Sequence, residues 1–296
     1  MDESFNQWAS IASEFIHEHF QFCQPYLDNN YQGINEQLRF VSTQLYLSTH
    51  FTSESSLVLL GEGREWDSEI LNRSVVEGVI KYVYMLQGEE SDQVKKVSQF
   101  WDILPKYAAV KRSDRAKKLL NKVEDDEERK AWFSIEKQVL SCEEVGQIRT
   151  GSNKRSRSLL EQNWSFSRIL DYFAESGDQK LRWLALLAYS YGMSSHLVHK
   201  DGDGVSMIWE RCIRPEERRN AVKAAHIARS VSDICTLSEI RSLFLVNLCK
   251  ESSRFIEDVR SKYALFFSEL KRTKDVFDGI EYPKDTNNTG KNDESC

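Results

Sequence analysis

The stretch Tyr-Ser-Tyr-Gly-Met-Ser-Ser-His-Leu-Val-His-Lys-Asp-Gly-Asp-Gly, from Tyr189 to Gly204, sets two histidines and three serines at the end of an apolar helix. An acidic, glycine-rich turn follows at once. Titratable groups gathered at a helix end are where sites are commonly built. At helical spacing Gly192, Ser195 and His199 fall on one face, and Arg182, Tyr189 and His196 on the adjacent one. A serine one turn before a histidine can orient it as a general base. A helix-terminal histidine can equally do no more than bond the last carbonyls. Nothing around Ser195 resembles a nucleophile elbow. His196, His199, Asp201 and Asp203 are metal-ligand types, but Asp-Gly-Asp-Gly is also ordinary turn chemistry. With no thiol nearby and a glycine-bearing turn, neither a bound metal nor a cofactor is expected.

Two further pairs carry possible chemistry. Trp66, Ile70, Arg73, Glu77, Ile80 and Tyr84 fall on one helical stripe, so Arg73 and Glu77 stand among apolar neighbours. Charges there are costly unless paired, and arginine before glutamate is the poorer order for a helical pair. A structural ion pair is the plain reading; a site role is the sharper one. Arg219 and His226 lie two turns apart on one face. Guanidinium and imidazole can together act on a phosphodiester, although a charge-rich surface helix produces the same spacing. Arg73, Glu77, Ser195 and His199 are expected to line one inter-helical pocket.

The elements that must position these groups are helices. The chain has 296 residues with 13 Gly and 4 Pro, 40% hydrophobic, with 7 Trp, 11 Tyr and 15 Phe. Few breakers and ample core material indicate an all-α protein. Helices are expected over residues 4–24, 34–60, 65–86, 166–174, 179–199, 215–233 and 238–270. Two or three charged helices, an antiparallel hairpin insertion, should fill 91–146. The basic segment Gln147–Arg157 reads as a loop. The expected organisation is N-terminal bundle helices over 1–90, the insertion over 91–146, C-terminal bundle helices over 147–275, and a disordered tail over 276–296.

A net charge of -6 excludes a global basic field for nucleic acid, though not a local patch. The start Met-Asp-Glu-Ser has no export signal, no membrane-length apolar run occurs, and the six cysteines form no Cys-x-x-Cys pair. A cytoplasmic protein with reduced thiols and no membrane association is expected.

Asn163-Trp-Ser-Phe-Ser-Arg168, Tyr189, Ser195, Val198-His199 and Leu71-Asn-Arg-Ser-Val-Val-Glu77 together resemble a bacterial family of unknown function. Its members carry an Arg-x-x-x-Glu-like helix, a Trp-Ser segment and a Tyr…Ser-x-x-x-His helix end. The resemblance covers roughly residues 55–212. That family is similar to the HEPN helical superfamily, many of whose members are metal-independent ribonucleases of toxin and phage-defence systems, while others are inactive. It implies a HEPN-like bundle. HEPN ribonucleases use an arginine shortly before a histidine. His199 lacks one, since Gly192, Met193 and Ser194 stand in that place; Arg219 and His226, with Asn220 after the arginine, fit it but lie outside the resembling segment. The expected function is a metal-independent ribonuclease of that kind. The alternative is a non-catalytic binding or regulatory module for a protein or nucleotide. Possible partners are RNA, a nucleotide, a protein encoded nearby, or further copies of the chain.

Overall fold

The computed structural model of the protein describes residues 3–192 and 194–282. The expected tail from 283 onward lies outside the described residues; its start, 276–281, is helical. Among the described residues the structure is all-α, with no strand. No helix is long and apolar enough to cross a membrane.

In chain order the main helices are α1 (Glu3–Leu27), α2 (Glu36–Gly61), α3 (Glu65–Met85), α4 (Glu90–Ser98), α5 (Leu104–Leu120), α6 (Asp126–Ala131), α7 (Phe133–Glu136) and α8 (Cys142–Arg149). They continue with α9 (Lys154–Asn163), α10 (Phe166–Ala174), α11 (Gln179–Ser190), α12 (Ser194–His199), α13 (Gly202–Cys212), α14 (Glu216–Leu248), α15 (Arg254–Lys262) and α16 (Ala264–Glu281). A π-helical turn, Gln99–Ile103, joins α4 to α5. The described residues form two compact units, one of residues 3–33, 43–79 and 186–282, the other of residues 34–42 and 80–185. The charged stretch 91–146 lies inside the second unit.

The first unit is built around α14, with α1 and α16 packed along it. Its core joins Phe5, Trp8, Phe15 and Ile16 of α1 to Ile227, Val231 and Ile234 of α14 and to Phe266 and Leu270 of α16. At roughly 25 cal/mol per Å² of buried apolar surface, such aromatic and branched side chains contribute the main stabilisation. Leu57 and Leu60 of α2 close the cluster.

Several boundaries differ from the expected ones, each for a local reason. Pro25 does not stop α1, because a proline in the last turn removes only one backbone bond. The expected helix 179–199 breaks at Tyr191 and Gly192, where the backbone tightens into i→i+3 bonds from Gly192 to Tyr189 (2.9 Å) and from Ser194 to Tyr191 (3.2 Å). The basic segment is not one loop: Asn153 accepts from the Ser156 amide (2.8 Å) and starts α9 at Lys154. The expected break after Asp233 is absent. Thr236 Oγ1 donates to the Ser232 carbonyl (2.9 Å) and Ser242 Oγ to that of Ser238 (3.0 Å), so these hydroxyls bond within the helix instead of capping a new one. α14 ends only where Lys250 takes a left-handed φ of 58°.

In the second unit two aromatic rings pack on Trp164. Tyr84 meets its ring edge-on (5.2 Å) and Phe100 tilts against it (5.2 Å), while the indole donates to Gln99 Oε1 (3.1 Å). Ser165 then caps α10 by accepting from the Arg168 amide (3.3 Å). The Trp-Ser segment is thus a core anchor followed by a helix start.

Candidate functional site

Within the first unit a cavity of about 310 Å³ opens among α3, α12, α13, α14 and α16. Its polar lining is Glu69, Ser194, Arg211, His226, Arg229 and Lys274. Trp66, Leu197, Met207 and Phe277 are among its apolar wall. The position of each group follows from the helices: Trp66 and Glu69 are one turn apart on α3, and His226, Arg229 and Asp233 recur on one face of α14.

Glu69 is the hub. Its carboxylate accepts from Ser194 Oγ (2.7 Å), His226 Nε2 (3.0 Å) and Arg229 Nη2 (3.2 and 3.3 Å). Burial works to raise its pKa, but the hydrogen bond from His226 and the charge of Arg229 outweigh that and hold it at about 2. Glu69 is therefore ionised throughout the physiological range.

His226 is held between two charged groups. Arg211 Nη1 lies 2.9 Å from Nδ1, and a guanidinium can only donate. Nδ1 must therefore present its lone pair, and Nε2 carries the proton that goes to Glu69. The imidazole is neutral and one tautomer is fixed. Burial lowers its pKa, and Arg229 and Arg211 push the same way against the opposing pull of Glu69. Trp66 stands edge-on to the ring (5.6 Å).

Arg211 has its guanidinium 4.4 Å from the Trp66 ring centroid. Among the described residues no carboxylate comes within ion-pair distance of it; Glu65 acts on it only at longer range and binds Lys223 (3.7 Å). Arg229 completes a second layer: it faces the Tyr191 ring (5.5 Å), and the Tyr191 hydroxyl donates to Asp233 Oδ2 (2.8 Å). Burial raises Asp233 to about 6, with Arg229 opposing. Lys274 at the rim pairs with Asp278 (2.7 Å).

Of the residues singled out in the sequence, His226 lies in this cavity and Arg219 is exposed outside its lining. Arg73 and Glu77 pair with each other on α3 (3.1 Å), each side chain a quarter to a third exposed, and neither lines it. Ser195 is half-buried and His199 exposed, also outside the lining. His196 pairs with Asp201 (2.7 Å), which caps α13 by accepting from the Gly204 amide (3.1 Å). A Cβ at Gly204 would collide with the His196 carbonyl, so this cluster closes the α12–α13 corner. Among the described residues no group of three or more His, Cys, Asp or Glu is placed to hold a metal.

Glu69, Arg211, Arg229 and Ser194 were not legible as site residues. The available signal was the charged run His226, Arg229, Asp233 on the face of α14 that also carries Val222. No curated protein and no solved structure matches the chain. One family model matches residues 39–211, a span that includes Trp66, Glu69, Ser194 and Arg211 but ends before His226. By that match over more than half its length, the chain belongs to DUF5677, a family of unknown function.

Proposed function

We propose that this protein is a helical recognition module that binds a phosphorylated small ligand, nucleotide in class, in the cavity of its first unit. The observation that carries this reading is Arg211. A half-buried guanidinium braced on Trp66, with no carboxylate partner among the described residues, keeps N–H groups for an anion. Arg229 and Lys274 also line the cavity, but they are paired with Glu69 and Asp278, which leaves Arg211 as the cation available to an anion. Trp66 and Phe277 offer apolar surface for a base or similar ring.

Thermal shift and calorimetry with nucleoside mono- and diphosphates test this. Binding by the wild type is expected, weakened at least about tenfold, or about 1.4 kcal/mol, in Arg211→Met. No response to any such ligand, or equal binding by that variant, overturns it.

A second reading is favoured by one observation: an imidazole shares the cavity with two arginines. In a HEPN-like, metal-independent ribonuclease of a toxin or defence system, His226 would take a proton from the RNA 2′-hydroxyl while Arg211 and Arg229 hold the phosphate. Nδ1 is occupied by Arg211. The phosphate would first have to draw Arg211 away. RNA cleavage that survives chelator and is lost in His226→Gln, with the thermal midpoint retained, would favour this reading over simple binding.

A further inference from the structure

We infer that the second unit carries a separate anion site, a groove formed by α5, α8 and α9 that grips the backbone phosphates of single-stranded RNA. The groove encloses about 240 Å³ and is lined by Lys111, Arg149, Lys154 and Arg157, with Asp114 and Glu161 as its acidic groups. Lys111 and Glu161 neutralise each other at 2.6 Å. Among the described residues no carboxylate lies within ion-pair distance of Arg149, Lys154 or Arg157. Arg157 is held in place by donating to the Ser152 carbonyl (2.6 Å). Three cations therefore face one remaining acid in a concave site, within a chain whose net charge is -6.

The positive charge extends beyond the groove. α5 carries Lys106, Lys111, Arg112, Arg115, Lys117 and Lys118 against the single Asp114. Lys111, Arg115 and Lys118 recur at four and three residues and are all exposed, so they form one stripe leading away from the groove. From Lys111 to Lys118 the stripe runs roughly 10 Å along the helix, which suits successive phosphates of a chain better than one small ion. Tyr107 in the groove wall supplies an aromatic face for a base. A concave groove with a stacking ring fits a flexible strand better than a flat anionic membrane.

No residue is shared with the first unit's cavity, so the two proposals stand or fall separately. The test is fluorescence anisotropy of a labelled, mixed-sequence single-stranded RNA with the full chain, titrated at several salt concentrations. Wild type should bind at low salt, and the Arg149→Glu/Lys154→Glu variant should bind at least about tenfold more weakly. Its log–log salt slope should be shallower by about 1.4, from roughly 0.7 per lost phosphate contact. Both side chains are exposed, and circular dichroism checks that the variant folds; Arg149→Ala/Lys154→Ala serves if it does not. The inference is overturned by unchanged affinity and slope in the folded variant, by folded wild type that fails to bind RNA, or by binding to phosphatidylserine vesicles in place of RNA.

Discussion

His226 has both ring nitrogens engaged, and the two partners pull its titration in opposite directions. Glu69 accepts from Nε2 and favours a second proton; Arg211 occupies Nδ1 and opposes it. Removing the guanidinium while keeping bulk, as in Arg211→Met, frees Nδ1 next to an ionised carboxylate. The His226 pKa should then rise, read by NMR titration of the imidazole, and an unchanged pKa would mean that the 2.9 Å contact does not set the tautomer. Glu69→Ala should do the reverse kind of damage, leaving Arg229, His226 and Ser194 without their acceptor. Losing the hub of such a buried charged cluster costs about 3–5 kcal/mol, measurable by urea denaturation; a loss under about 1 kcal/mol, the scale of an exposed pair, would mean that Glu69 is not the hub. His226 was legible because an imidazole two turns from an arginine is conspicuous. Glu69 was not, because after Glu65 and Asp67 it reads as one more acid in the first turns of a helix. Arg211 likewise sits in Glu-Arg-Cys-Ile-Arg, where only tertiary packing distinguishes it from Arg214, which pairs with Glu210 and Glu281.

Helices α2 and α3 meet closely at Gly78, where a Cβ would run into the Thr49 methyl. Thr49 cannot easily turn that methyl away, because its hydroxyl bonds the Leu45 and Tyr46 carbonyls, both at 2.9 Å. Gly78→Ala should therefore destabilise by about 1–3 kcal/mol, the usual cost of overpacking, even though alanine is the better helix former by about 1 kcal/mol. Thr49→Ser removes the methyl and keeps the hydroxyl. Added to Gly78→Ala it should restore stability, and a double-mutant cycle showing no coupling would refute the clash. The helical period alone located α10 at its full extent and α2 and α3 to within two residues, because glycines stand at or near the ends of α2 and α3 and a capping serine starts α10. It failed at α14, where Ser, Asp and Thr look like a helix boundary but bond back within the helix. It failed again at α9, whose start rests on one Asn153 side chain inside a basic run. Glycine at 192 weakens a helix without dictating a break; the anchoring of Tyr191 on Asp233 accompanies the break that is found.

The first unit buries three histidines among cations, and this sets how it responds to acid. His19 donates from Nδ1 to the Phe15 carbonyl (2.9 Å), with Glu18, Arg241 and Arg260 acting on it; burial lowers its pKa to about 4. His50, stacked on Phe20 (4.5 Å) and 3.4 Å from Glu54, is also brought to about 4 by burial, with Arg241 and His17 adding to the effect. His226 is lowered as well. A folded pKa below the unfolded value of about 6.5 means that the unfolded chain takes the proton first. The stability these residues contribute is complete above pH 6.5 and is lost as the pH falls toward 4, on the order of 3 kcal/mol each for His19 and His50. Asp233 has the opposite sign. Its folded pKa of about 6 exceeds that of a free aspartate, so its burial cost is present above pH 6 and is relieved toward pH 4, by a similar amount. Glu69, held at about 2, keeps its stabilising effect down to about pH 4.5 and loses it below. One carboxylate against three histidines leaves a net loss. The urea midpoint should fall steadily from pH 7 to pH 4, more gently in His19→Gln and more steeply in Asp233→Asn, which removes the compensating group. A flat midpoint across that window, or a His19→Gln slope equal to that of the wild type, would show that the buried imidazoles do not govern the acid limb.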